Sequence, residues 1–170
     1  RSLAEEVSDL AMERLGRRAA ARTAHLTLEG VDQSAGRVEA RAWMDVSGEM
    51  AATGLRRETL ERLVETYGRS YVRVLDLARK LPEGDERLCP RNPEIVAQLH
   101  YAVAEELTIS LQDFLLRRTG IGTSPCQGLD CAGPIAARMA DLLGWNPRRR
   151  EAELAAFHDQ VNQSHRFRQT

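Results

Sequence analysis

The sequence predicts an all-α fold, a helical bundle with one short extended segment near residues 23–28. Alanine, leucine, arginine and glutamate are plentiful, whereas aromatic residues make up only 5% of the chain, a balance that favours helix over sheet. Apolar residues recur three and four positions apart over most of the chain, which is the spacing of one helix face. Asn, Ser and Gly also stand where these patterns begin and end, as helix caps do.

The first helix is predicted over residues 2–16. Ser2 is suited to cap its N-terminus, Glu5 completes a capping box, and Gly16 ends it. The residues expected on its buried stripe are Leu3, Val7, Leu10, Ala11 and Leu15.

Residues 17–54 carry the weakest pattern in the chain. Residues 23–28 alternate between apolar and polar, which favours a short extended segment. Residues 30–36 predict a loop, and residues 37–44 suit either a short helix or another extended piece.

We expect a single helical domain over residues 1–170, because no stretch rich in Gly, Ser or Pro divides the chain. Residues 1–54 then form an N-terminal arm that packs on residues 55–163. The sequence opens on Arg1 inside a helical pattern, so we also expect it to be a part of a longer protein.

Two helices are predicted between residues 55 and 81. Gly68 suits the end of the first and Ser70 the start of the second. The residues expected on their inner faces are Leu60, Leu63, Val64, Tyr67, Tyr71, Val74, Leu75 and Ala78.

The clearest helix signals lie in the central run, residues 89–131. Asn92 is expected to cap one helix, with Pro93 at its first position and Glu94 facing its positive end. Ser110 and Asp113 resemble a capping box for the next helix. The inner faces are predicted to hold Ile95, Val96, Leu99, Val103 and Leu107, then Leu111, Phe114 and Leu115. Arg117, Arg118 and Gly120 end the second helix.

Two further helices are predicted after the cysteines. Residues 134–143 form one that ends at Gly144, and Asn146 with Pro147 opens the last. The residues expected on their inner faces are Ile135, Met139, Leu142, Leu143, Leu154, Phe157, His158 and Val161. Three arginines at residues 148–150 occupy the first turn of the last helix, where a solvated surface is favoured over a partner contact.

Composition excludes several functional classes. The net charge is −1, so no nucleic-acid partner is expected. No apolar run is long enough to span a bilayer, and no signal peptide is expected. Three cysteines suit a reducing compartment better than a disulfide framework, which places the chain in the cytoplasm. The sequence also lacks a glycine-rich phosphate loop, a G-x-S-x-G elbow and an H-E-x-x-H helix.

Cys126 and Cys131, with four residues including a glycine between them, form the one motif with metal-ligand character, and Cys89 offers a third thiolate. A cluster normally needs four ligands, and no histidine lies near the pair in sequence. Ordinary reduced cysteines, or a disulfide between Cys126 and Cys131, are therefore favoured over a bound cluster. Spacing alone does not argue for zinc.

Other chemically capable residues are predicted to be structural. His100 lies between apolar positions of a helix, where a hydrogen-bonded boundary histidine is commoner than a base. Glu105 and Glu106 are adjacent on a helix and point apart, so they do not form a carboxylate pair. Arg117 and Arg118 are expected to bind helix carbonyls or to pair with Asp113 or Asp130. We predict no catalytic residue.

Several motifs occur together in a characteristic order. They are RSLAEEV at residues 1–7, RTAHLTL at 22–28, TYG at 66–68, LCP at 88–90, YAVAEE at 101–106, SLQDFLLRRT at 110–119 and LLGWN at 142–146. In this order they resemble the C-terminal domain of the FAD-dependent glycerol-3-phosphate dehydrogenases. The resemblance covers most of the chain and is weakest at residues 31–54 and at the tail.

The resemblance implies a helical, non-catalytic domain that follows a flavin-binding domain. The family oxidises sn-glycerol 3-phosphate to dihydroxyacetone phosphate and passes electrons from FAD to quinone or another acceptor. Its flavin and substrate groups lie in the upstream FAD-binding domain, which is the expected partner, so this chain should hold no FAD. Association into a homodimer, and a peripheral contact of the parent with the cytoplasmic face of the membrane, stay open.

The loop at residues 118–131 also resembles the [2Fe–2S] loop of bacterioferritin-associated ferredoxin-like modules. Those modules place a Cys-x-Cys pair upstream and a Cys-x4-Cys pair downstream, which Cys126 and Cys131 match. Cys89 matches one upstream ligand, but the other position is Arg87, which cannot bind iron. A [2Fe–2S] cluster is therefore not expected. The alternative to a non-catalytic domain is a metal-binding electron-transfer module using Cys89, Cys126 and Cys131.

Overall fold

The computed structural model describes residues 2–17, 21–22, 26 and 46–165, and this part of the chain is helical. Seven α-helices follow one another: α1 (Ser2–Arg14), α2 (Val46–Thr53), α3 (Arg57–Tyr67), α4 (Tyr71–Lys80), α5 (Val96–Glu105), α6 (Ala132–Leu143) and α7 (Pro147–Ser164). Shorter helical pieces are the 3-10 turns Gly68–Ser70 and Ile121–Thr123 and the π-helical segment Asp113–Arg118.

The all-α class is confirmed. Within the described ranges no strand forms, and an isolated antiparallel bridge joins Arg87 to Ile95. The extended segment predicted at 23–28 lies, apart from Leu26, outside the described residues, as do the stretches predicted at 30–36 and 37–44. No described helix combines the length and apolar character that crossing a membrane requires.

Helix α5 stands between two hydrophobic cores. On one side it meets α3 and α4, with buried side chains that include Leu60, Leu63, Val64, Val74, Leu75, Ile95 and Tyr101. On the other side it meets the π-helical segment, α6 and α7, with Leu99, Leu111, Phe114, Leu115, Ile135, Met139 and Phe157. Burying a side chain of this size contributes about 1.5–3 kcal/mol of transfer free energy. Because α5 has buried side chains in both cores, it joins the two halves of the domain.

Several predicted helix boundaries are confirmed. Gly68, at φ 54°, ends α3, and Tyr71 opens α4 after one 3-10 turn. The Ser110 hydroxyl accepts from the amide of Asp113 at 3.1 Å, while the Asp113 carboxylate accepts from the amide of Ser110 at 3.1 Å, as a capping box requires. The Asn146 side chain caps α7 by accepting from the amide of Arg149 at 2.8 Å.

The predicted start of α5 is wrong. Asn92, Pro93 and Glu94 precede the helix, and Ile95 is its N-cap. The backbone carbonyl of Glu94 accepts from Leu88 at 2.9 Å, which keeps this stretch extended beside the preceding loop. The amide of Ile95 is satisfied by the side chain of Gln98 at 2.9 Å, so the helix needs no capping Asn.

The predicted end of the α5 face is also wrong. Leu107 lies beyond the helix at φ 53° with 86% of its surface exposed, and Val103 is only partly buried. Tyr101 and Ala102 are buried instead. On the later helices, Leu142 and His158 were predicted to face inward and are exposed.

Helix α1 forms within the predicted range, but its apolar stripe is not buried. Leu3, Val7, Leu10 and Leu15 are all more than half exposed, Ala11 is exposed, and α1 contributes no buried residue. The 3.6-residue period was enough to predict a helix, whereas burial depends on a partner surface that sequence periodicity does not specify.

Candidate functional site

Two of the predicted ligand residues, Cys89 and Cys126, meet in the fold. Cys89 lies in the loop between α4 and α5, and Cys126 lies in the loop that precedes α6. Their Sγ atoms are 3.8 Å apart, with Cys89 fully buried and Cys126 partly buried. We call the group formed by Cys89, Asn92, Ser124, Cys126 and Asp130 the cysteine pocket.

Asn92 connects the two sulfur atoms. Its side-chain amide donates to Sγ of Cys89 at 3.1 Å and to Sγ of Cys126 at 3.3 Å. The same nitrogen lies 3.2 Å from the hydroxyl of Ser124. The side chain of Asn92 therefore donates hydrogen bonds to the sulfur atoms and does not cap a helix, so α5 begins after it.

The local backbone favours the thiolate form of Cys126. Positive φ values at Gln127 and Gly128 turn the chain so that the Gly128 amide reaches this sulfur. Burial opposes ionisation, but hydrogen bonds from Ser124, Gly128, Cys89 and Asn92 outweigh it and hold the pKa of Cys126 below its usual value. A thiol with a lowered pKa is a better nucleophile and metal ligand than an ordinary one.

Asp130 completes a group of three ligand atoms. One carboxylate oxygen lies 3.7 Å from Sγ of Cys89, and the other lies 3.5 Å from Nε of Arg91. The ligand atoms of Cys89, Cys126 and Asp130 all lie within 4.8 Å of one another. The sequence pattern had not singled out Asp130 as a ligand, because its distance from Cys89 in the chain hides the contact.

Cys131, the third predicted ligand, occupies a different environment. It is buried, and its thiol lies 3.6 Å from the carbonyl of Gly128, to which it donates. Burial, reinforced by Cys89 and Asp130, raises the pKa of the Cys131 thiol well above its usual value. The structure thus groups Asp130, rather than Cys131, with the two other cysteines, and the role of Cys131 as a ligand stays a prediction.

The residues do not fit a [2Fe–2S] cluster. Such a cluster takes four ligands from the protein, and the position that would supply the fourth is Arg87. The side chain of Arg87 is engaged in an ion pair with Glu58 on α3, and its backbone pairs with Ile95. The loop therefore lacks the full ligand set that such a cluster needs.

A groove of about 360 Å³ lies between α4 and α5. Its charged lining includes Arg73, which pairs with Glu105 at 2.7 Å, so part of its charge is already compensated. His100 lies at its edge and is partly buried, and burial together with Arg138 lowers the pKa of its imidazole. The partial burial of His100 agrees with its predicted position at the boundary of the core. The residues that line the groove include no nucleophile–base pair.

The predicted roles of the two adjacent arginines are confirmed. Arg117 forms an ion pair with Asp113, one turn earlier, and Arg118 donates to the carbonyl of Glu106 at 2.9 Å. Both side chains therefore stabilise the π-helical segment and the end of α5.

Two carboxylates are buried in contacts that the sequence did not predict. Glu94 is 1% exposed and accepts from the amide of Gly120 at 3.1 Å, which connects the loop before α5 to the loop after the π-helical segment. Glu153 on α7 is also buried and accepts from the amide of Leu111 at 2.9 Å. No local signal indicates either contact, since each one spans more than twenty residues of sequence.

The chain resembles known proteins over most of its length. A family model described as the C-terminal domain of alpha-glycerophosphate oxidase matches residues 21–150. A glycerol-3-phosphate dehydrogenase of Synechocystis is 29% identical over 111 residues, which cover 65% of this chain and 20% of that protein. Glycerol-3-phosphate dehydrogenase 2 of Mycobacterium tuberculosis is 30% identical over 112 residues, covering 65% of this chain and 19% of that protein.

A third relative covers nearly the whole chain. The aerobic glycerol-3-phosphate dehydrogenase of Staphylococcus aureus is 25% identical over 170 residues, or 96% of this chain and 29% of that protein. The matched part of the chain thus spans 19–29% of the length of these three relatives. Their names lend no support to the alternative of a metal-binding electron-transfer module. With its helical fold and a family match over residues 21–150, the chain belongs to the family of the C-terminal domain of alpha-glycerophosphate oxidase, shared with the glycerol-3-phosphate dehydrogenases.

Proposed function

We propose that this chain is the non-catalytic C-terminal domain of an FAD-dependent glycerol-3-phosphate dehydrogenase. The parent would oxidise sn-glycerol 3-phosphate to dihydroxyacetone phosphate and pass the electrons to quinone or another acceptor. The observation that carries this proposal is the family match over residues 21–150, supported by relatives named as glycerol-3-phosphate dehydrogenases.

The flavin belongs to the upstream domain in this proposal. FAD is commonly held by a parallel sheet whose glycine-rich turn meets the pyrophosphate at a helix N-terminus. The described part of this chain contains no such sheet, and its sequence has no G-x-G-x-x-G turn, so these residues do not fit FAD. The domain would act by packing on the flavin domain.

The exposed stripe of α1 is the surface that supports such packing. Leu3 is 71% exposed, Val7 60% and Leu10 51%, and together they form one apolar face. Contiguous apolar surface of this kind marks an interaction site more often than free surface. Because the relatives carry more than twice as many further residues as this chain contains, the rest of the parent chain is the occupant we assign to it.

Association and location complete the proposal. The parent would lie in the cytoplasm and contact the cytoplasmic face of the membrane peripherally, with self-association into a homodimer. The exposed arginines at residues 148–150 are the cationic surface suited to anionic lipid, although Arg149 also pairs with Glu153 at 2.5 Å. Co-sedimentation with anionic and with neutral vesicles tests the membrane contact, and light scattering of the parent tests the dimer.

The packing surface is tested in the full-length parent. Replacing Leu3, Val7 and Leu10 together by Ser should separate the domains and expose their boundary to limited proteolysis, while the secondary structure of the domain is retained. Val72→Ser, which changes an exposed apolar residue on α4, is the matched control and should leave the cleavage pattern unchanged. An unchanged pattern in the triple variant would mean that α1 does not carry the interface.

A further inference from the structure

We propose that Cys89, Cys126 and Asp130 bind one zinc-like divalent cation, with a fourth position left to water. This site is independent of the flavin chemistry assigned to the parent. It also differs from the set of three cysteines that the sequence predicted, because Asp130 takes the place of Cys131.

The distances between the ligand atoms match those around a tetrahedral zinc ion. Zn–S bonds of about 2.3 Å at tetrahedral angles place two sulfur atoms about 3.75 Å apart. The Sγ atoms of Cys89 and Cys126 are 3.8 Å apart. A carboxylate oxygen bound at about 2.0 Å would lie roughly 3.5 Å from each sulfur. The Asp130 oxygen lies 3.7 Å from Sγ of Cys89, so the three donors surround one small volume.

The surrounding donors suit thiolate sulfur rather than neutral thiols. The amide of Asn92, itself buried, reaches both sulfur atoms at 3.1 and 3.3 Å, and the backbone amide of Gly128 reaches Cys126. Such N–H donors stabilise negative charge on sulfur and orient metal ligands from outside the coordination sphere. They hold the two side chains in position for a cation.

The charge of the pocket also favours a divalent cation. Two thiolates and one carboxylate carry three negative charges, so a bound divalent cation leaves a net charge of −1. Arg91, whose Nε lies 3.5 Å from the outer oxygen of Asp130, supplies the compensating positive charge.

The donor set selects the class of metal. Thiolate ligands favour zinc over magnesium and calcium, which prefer sites built from oxygen alone. Cys126 is partly buried and the Asp130 side chain is 39% exposed, so the ion can enter from solvent and water can reach the fourth position. The nearest competing chemistry is oxidation of Cys89 and Cys126 to a disulfide, which the test must separate from metal binding.

The experiment uses the whole chain, stripped with a chelator and kept reduced, with its three thiols counted by a thiol reagent. Zn²⁺ is titrated by calorimetry, and Co²⁺ is used as a second probe because thiolate ligands give it a charge-transfer absorption. The variants are Cys89→Ser, Cys126→Ser, Asp130→Asn and Cys131→Ser. Asp141→Asn, an exposed carboxylate on α6, is the matched control for the charge change.

We expect one zinc per chain and a higher melting temperature on zinc binding. Cys89→Ser and Cys126→Ser should lose binding, Asp130→Asn should weaken it by at least about tenfold, and Cys131→Ser and Asp141→Asn should retain it. Asp130 is exposed and should tolerate substitution, so this variant stays informative if a cysteine variant unfolds.

Three results would overturn the site. The reduced chain could bind no zinc while all three thiols react and a Cys89–Cys126 disulfide forms in air. Binding could be lost in Cys131→Ser and retained in Asp130→Asn, which would return the ligand set to the three cysteines. A coloured protein holding two irons per chain would indicate a cluster instead.

Discussion

The carboxylate of Glu153 accepts a hydrogen bond of 2.9 Å from the backbone amide of Leu111, 42 residues earlier in the chain. This amide lies at the start of a helix and has no partner within it, and a carboxylate is favoured at that positive end. Arg149, at 2.5 Å from the other carboxylate oxygen, compensates the buried charge. One side chain thus connects α7 to the π-helical segment.

Removing this carboxylate should destabilise the domain. Glu153→Ala leaves the Leu111 amide buried without a partner, so we expect a loss of about 1–3 kcal/mol in the free energy of unfolding. Glu153→Gln keeps an acceptor oxygen, so its free energy of unfolding should fall by less than that of Glu153→Ala. Chemical denaturation followed by circular dichroism measures both variants, and equal losses would mean that the hydrogen bond to Leu111 is not the source of the effect.

The corrected boundary of α5 gives a matched pair of leucine variants. Leu99 is fully buried in the core that α5 shares with α6 and α7, so Leu99→Ala should lower the free energy of unfolding by roughly 2–5 kcal/mol. Leu107 is exposed just after the same helix, so Leu107→Ala should lower the free energy of unfolding by less than about 0.5 kcal/mol. Equilibrium unfolding of the two variants checks this, and similar losses would show that the helix face has been misassigned.

The Ser110–Asp113 capping box should make stability depend on acid. Burial opposes ionisation of Asp113, but hydrogen bonds from Ser110, the Ile109 amide and Arg117 outweigh it and lower the pKa of this carboxyl. Its contribution is therefore complete above the unfolded pKa of about 3.9 and disappears as the pH falls through the lower folded pKa.

In Asp113→Asn, the free energy of unfolding should therefore decrease less steeply as the pH falls below about pH 4. Arg117→Gln, which keeps the carboxylate and removes one of its partners, should flatten this decrease in part. Urea midpoints measured over a series of acidic pH values give the comparison. Parallel curves for Asp113→Asn and the unmodified chain would rule out this linkage.

Two glycines with different surroundings provide a test of packing. A Cβ at Gly84 would lie 2.7 Å from the carbonyl oxygen of Ala78 and 2.9 Å from its Cα, so Gly84→Ala should destabilise the domain by about 1–3 kcal/mol. A Cβ at Gly133, in α6, would meet nothing within 4 Å. Gly133→Ala should stabilise by about 0.5–1 kcal/mol. The melting temperature measured by thermal unfolding should fall for Gly84→Ala and rise for Gly133→Ala.

Local sequence was sufficient wherever the determining contact is local. The caps at Ser110 and Asn146 and the break at Gly68 involve residues within four positions of each other, and all three are confirmed. The helical period likewise predicted α1, α3, α4, α6 and α7. These features depend on backbone geometry and short side-chain hydrogen bonds, which a pattern of neighbouring residues can specify.

Contacts between distant residues were not predictable in the same way. Asn92 has the residue type and position of a helix cap, yet its amide is drawn to sulfur atoms from two separate loops. The spacing of Cys126 and Cys131 in the loop at residues 118–131 indicates possible ligands, but the approach of Asp130 to Cys89 depends on the fold. Glu153 carries no local signal, and Glu94, predicted to face a helix N-terminus, instead accepts from the amide of Gly120, because tertiary packing sets the partners of both residues.

The central claim is that this helical domain serves a flavin chemistry carried out by the upstream part of its parent. The most direct test compares the full-length parent with the 170-residue chain, purified in the same way and assayed for bound flavin and for dye reduction by sn-glycerol 3-phosphate. We predict that the parent retains FAD and reduces the dye, whereas the chain alone folds as helix, binds no flavin and is inactive. A chain that retained stoichiometric FAD or oxidised glycerol 3-phosphate by itself would contradict the claim.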